Sequence, residues 1–162
     1  MIIVIIGPMG CGKSTIGSML AADLNWDFDD ADDFHPPENV EKMRSGIPLD
    51  DNDRIGWLTT LRDRIQDKIR QKRNLILACS ALKQSYRDIL GIDQQQIFSV
   101  YLKGSRQLLQ ERLTSRSHQY MNDSLLNSQL QAMEEPADGL IVPIDGSPEE
   151  ICTNIMKGLG IK

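Results

Sequence analysis

Aromatic residues are sparse, with two Trp, three Tyr and three Phe scattered along 162 residues. They form no stripe on which bases could stack. Cysteine is scarcer still: Cys11, Cys79 and Cys152 are an odd, widely spaced set. That spacing fits neither a disulfide framework nor a zinc site, and it leads to the expectation of a reducing, cytoplasmic setting. No long apolar run occurs. The longest, residues 1–6, is far too short to span a bilayer and lacks the basic stretch and cleavage site of a secretory signal, so no membrane partner is expected. Positive charge is also in deficit, with 18 Lys and Arg against 23 Asp and Glu for a net charge of −5. A general nucleic-acid binder needs a basic face, so that class is set aside, whereas a few clustered cations can still serve a small anionic substrate. Repeats and linker-like stretches are missing, and Gln94-Gln95-Gln96 is the only local bias. A chain of this length is expected to form a single domain over residues 1–162.

What the chain does contain alternates between two patterns. Continuous apolar runs at 2–6, 75–79, 97–102 and 140–144, with a weaker one at 26–28, predict strands buried on both faces. Between them lie helical spacings. Ile16, Met19, Leu20 and Leu24 share a face, as do Ile55, Leu58, Leu61, Ile65 and Ile69, with Arg62, Asp63, Asp67 and Lys68 opposite. Leu108, Leu109, Arg112 and Leu113 form a third set, and Ile151, Ile155 and Leu159 a fourth. Ser147-Pro148-Glu149-Glu150 carries start signals for the last helix: a capping Ser, a first-turn Pro and an acid three residues after the Ser. The alternation predicts an α/β three-layer sandwich around a five-stranded parallel sheet.

Immediately after the first run the chain reads Gly7-Pro8-Met9-Gly10-Cys11-Gly12-Lys13-Ser14-Thr15. This matches G-x-x-x-x-G-K-[ST] in its required context, strand before and helix after. Glycines let the backbone curl so that its N–H groups face phosphate oxygens, and the following helix presents its positive dipole end to the same anion. Lys13 can reach the β- and γ-phosphates, and the Ser14 hydroxyl can ligate Mg²⁺. The motif therefore predicts a P-loop NTPase fold that binds a nucleoside triphosphate with Mg²⁺. Its nucleotide-binding positions are Gly7, Gly10, Cys11, Gly12, Lys13, Ser14 and Thr15. Cys11 suits a tight bend as a small residue. A helix N-terminus also lowers a thiol pKa, which leads to the further expectation that oxidation of Cys11 blocks nucleotide binding.

A phosphate loop alone does not separate a kinase from a nucleotide-dependent switch. The acidic stretch Asp29-Asp30-Ala31-Asp32-Asp33 closes the second strand, where carboxylates face the loop from the neighbouring strand end. That suits a small-molecule kinase, which needs one acid near Mg²⁺ and another near the acceptor hydroxyl. A switch needs no second pocket for a small ligand.

Beyond these motifs, the segment from Asp30 through Phe34-His35-Pro36-Pro37-Glu38-Asn39-Val40, then Lys42-Met43 and Ser45-Gly46-Ile47-Pro48-Leu49, resembles bacterial-type gluconate kinases. Asp53-Arg54 with Trp57-Leu58, Ala78-Cys79-Ser80-Ala81-Leu82-Lys83 and Tyr86-Arg87-Asp88 extend the likeness, as do Tyr101-Leu102-Lys103-Gly104-Ser105, Leu125-Leu126, Ser128-Gln129 and Glu134-Glu135-Pro136. The family is related to shikimate kinase and the nucleoside monophosphate kinases. The resemblance implies ATP- and Mg²⁺-dependent phosphorylation of the 6-hydroxyl of D-gluconate to 6-phospho-D-gluconate, by a homodimer. Rival acceptors are another sugar acid or a shikimate-like alcohol. The chain departs from the family pattern at Gln119 and Asn122, where His and Pro are usual, at Gly56 in place of Pro, and at Gly91 in place of a basic residue.

Carried onto these positions, the resemblance implies a substrate region at about 32–60 and a lid at about 117–124. Asp32 is expected to bind the C6 hydroxyl and take its proton, and Asp30 to orient Mg²⁺ together with Ser14. In an extended segment the two acids point the same way. Lys83 and Arg87, four apart on one helix face, are expected to grip the carboxylate, with Arg54 as a further cation. His35 is expected to donate to a sugar hydroxyl. Arg116 is expected to cover the transferring phosphoryl group beside Lys13, and Arg112 to have a lesser role, nucleotide-binding or structural. The adenine site is expected near the loop 144–148. Trp26 and Trp57 are expected to be packing residues.

Overall fold

The structure is a computed structural model that describes residues 1–115 and 123–162. Five strands, β1 (Ile2–Ile6), β2 (Asp27–Asp30), β3 (Leu75–Ala78), β4 (Ile97–Lys103) and β5 (Leu140–Pro143), form one parallel sheet in the order β2-β3-β1-β4-β5. Helices α1 (Lys13–Leu24), α2 (Pro37–Arg44), α3 (Asp51–Arg70), α4 (Gln84–Leu90), α5 (Arg106–Ser115), α6 (Asp123–Ala132) and α7 (Pro148–Leu159) complete the described residues, with a 3₁₀ turn at Ala31–Phe34. Among these residues no helix is long and apolar enough to cross a membrane.

The central strand shows why its sequence is continuously apolar. All five residues of β1 have no solvent exposure. Ile3 and Ile5 pack with Ile16, Leu20, Ile151 and Ile155, whereas Ile2, Val4 and Ile6 pack with Leu58, Leu61, Ile65 and Tyr86. Each side chain removed from water in this way stabilises the fold by about 1.5–3 kcal/mol. β1 thus forms a rigid post from which the phosphate loop leaves, at the carboxyl edge where the strand order changes direction. That edge is where parallel α/β sheets hold their ligands.

The edges of the sheet depart from the sequence expectation. β2 runs from 27 to 30 rather than 26 to 28, so Asp29 and Asp30 lie within the strand. Its acids are tolerated because α3 and the turn after it answer them: Lys68 of α3 donates to Asp27 at 2.8 Å, Arg73 of the turn to Asp27 at 2.6 Å, and Arg64 of α3 to Asp29 at 2.7 Å. Lys68 is therefore buried against β2 instead of belonging to a solvated face. Phe28, pointing the other way, presses on Gly17 of α1, where even a Cβ would lie 2.6 Å from the ring. Ile55 does not join the apolar face of α3. It is half exposed, and Trp57 is buried there. β5 is buried on one side only, with Val142 inside and Ile141 outward, because it closes the sheet and has a helix on one face alone. Gly91 ends α4 at φ 80°, a left-handed position that explains the exchange of a basic residue for Gly.

Candidate active site

The phosphate loop crosses from β1 to α1 with the geometry its glycines permit. Gly12 is the N-cap of α1 at φ 95°, and Gly10 sits at φ 81°, where a Cβ would meet the Leu113 side chain at 3.1 Å and the Leu109 carbonyl at 3.2 Å. No side chain caps α1 and its first turn holds no acid. Its leading N–H groups stay available to an anion. The Lys13 ammonium donates to the Pro8 carbonyl at 3.0 Å across the loop. Cys11 is fully buried, with its thiol beneath Gly7, where a Cβ would lie 2.7 Å from the sulfur. It shapes the bend. The expected oxidation of Cys11 requires the loop to open first, because the thiol is fully covered in this conformation.

Asp30 comes from the end of β2. One carboxylate oxygen accepts the Ser14 hydroxyl and the other accepts the Asp32 N–H at 3.0 Å. Asp30 and Asp32 do not share a face of an extended segment, as their spacing suggests. Asp30 is the N-cap of the 3₁₀ turn and Asp32 lies in its first turn. The turn swings the Asp32 carboxyl clear of the Ser14–Asp30 contact and into the cavity, with 81% of its side chain accessible. The surrounding protein, which weakens solvation of the charge, raises its pKa above the ordinary carboxylate value. The charges of Asp30 and Asp33 add to the rise, and Lys13 opposes it.

His35 stacks on Trp57 with ring centroids 4.1 Å apart at 15°. The Asn39 amide donates to the Asp53 carbonyl at 2.8 Å and lies 3.2 Å from His35 Nδ1. Since that amide nitrogen is a donor, His35 Nδ1 accepts and the proton sits on Nε2, which is 3.8 Å from Asp32. Burial, assisted by the Arg54 charge, lowers the His35 pKa to about 4, so the ring is neutral. Trp57 donates its indole N–H to the Ala31 carbonyl at 2.7 Å, fixing the turn that carries Asp32.

These groups line one cavity of about 450 Å³. Gly10, Gly12, Lys13, Ser14 and Thr15 form one wall, Asp30, Asp32 and His35 another, and Arg54 stands further along. Two expected carboxylate ligands are elsewhere. Arg87 is buried and donates to the Ala81, Leu82 and Glu134 carbonyls and to Gln84, which spends its guanidinium on tying α4 to the segment after α6. Lys83 precedes α4 in extended conformation rather than sharing a helix face with Arg87, and its ammonium bonds Asp51 at 3.1 Å. Arg54 does line the cavity, with one guanidinium nitrogen on the Leu49 carbonyl and the Tyr86 hydroxyl. Arg112 donates to the Ile144 carbonyl at 2.8 Å and passes within 3.7 Å of where a Gly12 Cβ would be. It thereby joins the phosphate loop to the expected adenine loop. Arg116 and residues 117–122 of the expected lid lie outside the described residues.

The structure adds residues to which the sequence assigned no role. The Met9 N–H of the phosphate loop donates to Gln129 of α6 at 2.7 Å, 120 residues away. Ser128 and Gln129 line the cavity, as does Arg44 at the end of α2. Ser128-Gln129 stood among the resemblance motifs, so its pattern was the available signal. Arg44 carries none beyond its position after Lys42-Met43.

The Shikimate kinase family model matches residues 9–159. A gluconokinase of Gluconobacter oxydans is 42% identical over 84% of this chain and 76% of its own. The thermoresistant gluconokinase of Escherichia coli is 36% identical over 96% and 91%. Among solved structures, a gluconokinase from Sinorhizobium meliloti superposes with a TM-score of 0.87 at 36% identity, covering 98% of this chain and 90% of that one.

Proposed function

The chain belongs to the gluconokinase family within the shikimate kinase-like P-loop kinases, and from this we infer that it transfers the γ-phosphoryl group of ATP to the 6-hydroxyl of D-gluconate, giving 6-phospho-D-gluconate and ADP. The observation that carries the reading is that an uncapped phosphate loop and the Asp32 carboxyl line the same cavity.

In this reading Asp32 orients the acceptor hydroxyl and takes its proton as the bond from O6 to phosphorus forms and the bond from phosphorus to the β-phosphate oxygen breaks. His35, neutral with Nε2–H toward Asp32, donates to the same end of the sugar. Lys13 and the α1 N–H groups hold the β- and γ-phosphates in line. Ser14 and Asp30 are both hard oxygen donors already in contact, a pair that fits Mg²⁺ and leaves its other positions to water and phosphate. When bound, Mg²⁺ neutralises charge developing on the phosphate oxygens. Arg116 remains the proposed phosphoryl-covering residue, next to a proposed lid at about 117–124 that would exclude water. The remaining assignments are a single catalytic domain with its substrate region at about 32–60, a cytoplasmic location supported by three unpaired buried cysteines, and a homodimer supported by the family resemblance.

A coupled ADP-release assay with ATP and Mg²⁺ on gluconate, idonate, gulonate and shikimate tests the reading. The highest kcat/KM is expected on gluconate. A higher value on any of the others retires the substrate assignment.

A further inference from the structure

We propose that Arg44 is the residue that recognises the carboxylate of the acceptor, an inference that rests on the sugar-acid reading above. Gluconate carries its reacting hydroxyl at one end and its carboxylate at the other, about 7–8 Å away across six bonds of an extended chain. The receptor for the acid must therefore lie along the cavity from Asp32, and it must be positively charged. Among the described residues three cations line that cavity, Lys13, Arg44 and Arg54. Lys13 belongs to the phosphate loop and holds the Pro8 carbonyl. Arg54 already spends one guanidinium nitrogen on the Leu49 carbonyl and the Tyr86 hydroxyl. His35 is neutral, since its pKa is lowered to about 4.

Arg44 is different. It stands exposed in the last turn of α2, and among the described residues its guanidinium bonds no carboxylate, whereas every other lysine or arginine assigned to the substrate is held by protein atoms. A cation at this helix end is favoured by the dipole, which a Lys would serve equally. The planar fork of an Arg adds what a carboxylate specifically needs, two parallel donors. Met43, Ile47, Pro48 and Leu49 line the same cavity and give the sugar-acid chain apolar surface beside the exposed fork.

The test compares wild type, Arg44→Ala and Arg44→Lys, using gluconate as acceptor and D-gluconamide, its neutral isostere, as competitor. Arg44→Ala is expected to raise the KM for gluconate about 10- to 100-fold, the worth of a charge-assisted hydrogen bond to a carboxylate, and to leave the KM for ATP where it was. Arg44→Lys falls between. The ratio of the gluconamide Ki to the gluconate KM, well above one in wild type, collapses toward one in Arg44→Ala. A ratio that persists in Arg44→Ala, a gluconate KM unmoved by the substitution, or an equal rise in the KM for ATP overturns the assignment and leaves the kinase reading standing. A wild-type protein inert on gluconate removes both.

Discussion

Helices α1 and α7 both start at the carboxyl edge of the sheet, each after a parallel strand, and they finish their N-termini in opposite ways. α7 satisfies itself. Ser147 accepts the Glu150 N–H at 3.2 Å, Glu150 returns the favour to the Ser147 N–H at 3.0 Å, Pro148 removes a donor, and two acids answer the dipole. α1 opens on a glycine with no capping side chain and no acid, followed at once by Lys13 and Ser14. A helix end whose own sequence completes it is a structural joint. One left positively charged, at the ligand-binding edge, is completed by an anion from outside. The same contrast separates the basic residues. Arg87 is used up on carbonyls within the fold, whereas Arg44 is left open to the cavity.

The largest expected effect sharpens the contrast at the open end. Asp32→Asn keeps the shape of the acid facing α1 and removes its basicity, and is expected to lower kcat about 10²- to 10⁴-fold. In wild type, log kcat should fall with slope one as pH drops through the raised Asp32 pKa, with a midpoint above that of an ordinary carboxylate, because the protonated acid cannot accept the hydroxyl proton. The same shift has a stability consequence. The folded protein binds this proton more tightly than the unfolded chain, so Asp32 makes the fold less stable as pH rises above the ordinary carboxylate value. Asp32→Asn is therefore expected to leave the fold at least as stable at neutral pH, read as an unchanged or slightly higher Tm, while kcat falls as above. A variant with near-normal kcat removes Asp32 from the chemistry.

Next in size, Lys13→Ala strips the open helix end of its cation. A kcat loss of about 10²- to 10³-fold is expected, the scale of removing one preorganised electrostatic donor. Thermal melting in the absence of nucleotide should change little, since Lys13 bonds only groups of its own loop, the Pro8 carbonyl and the Cys11 sulfur. The smallest effect tests the closed end. Ser147→Ala should cost about 1 kcal/mol of stability, seen as a Tm lower by about 2–4 °C, with kcat unchanged. Should Ser147→Ala impair catalysis instead, the distinction between the two helix ends fails.

Much of this was legible in the sequence because it depends on neighbours along the chain. The strand–loop–helix motif, the apolar run of β1 and the Ser147 capping box are local patterns with one physical solution each. The substrate side was legible only in part. The acidic stretch pointed to Asp30 and Asp32, but their one-residue spacing suggested an extended segment, and the 3₁₀ turn that separates them is fixed by Trp57 donating to the Ala31 carbonyl 26 positions away. The pairing of Lys83 with Arg87 followed helical spacing, but the helix begins one residue too late for Lys83 to join it, and burial turns Arg87 inward.

The sequence by itself determined the layer architecture and the phosphate loop, since hydrophobic period and glycine placement act over a few residues. Only the tertiary structure decided which charges remain free. Whether an arginine is a ligand or a rivet depends on which carbonyls and carboxylates surround it. At Arg87 the decisive acceptor comes from Glu134, 47 residues away, a distance over which local periodicity carries no information.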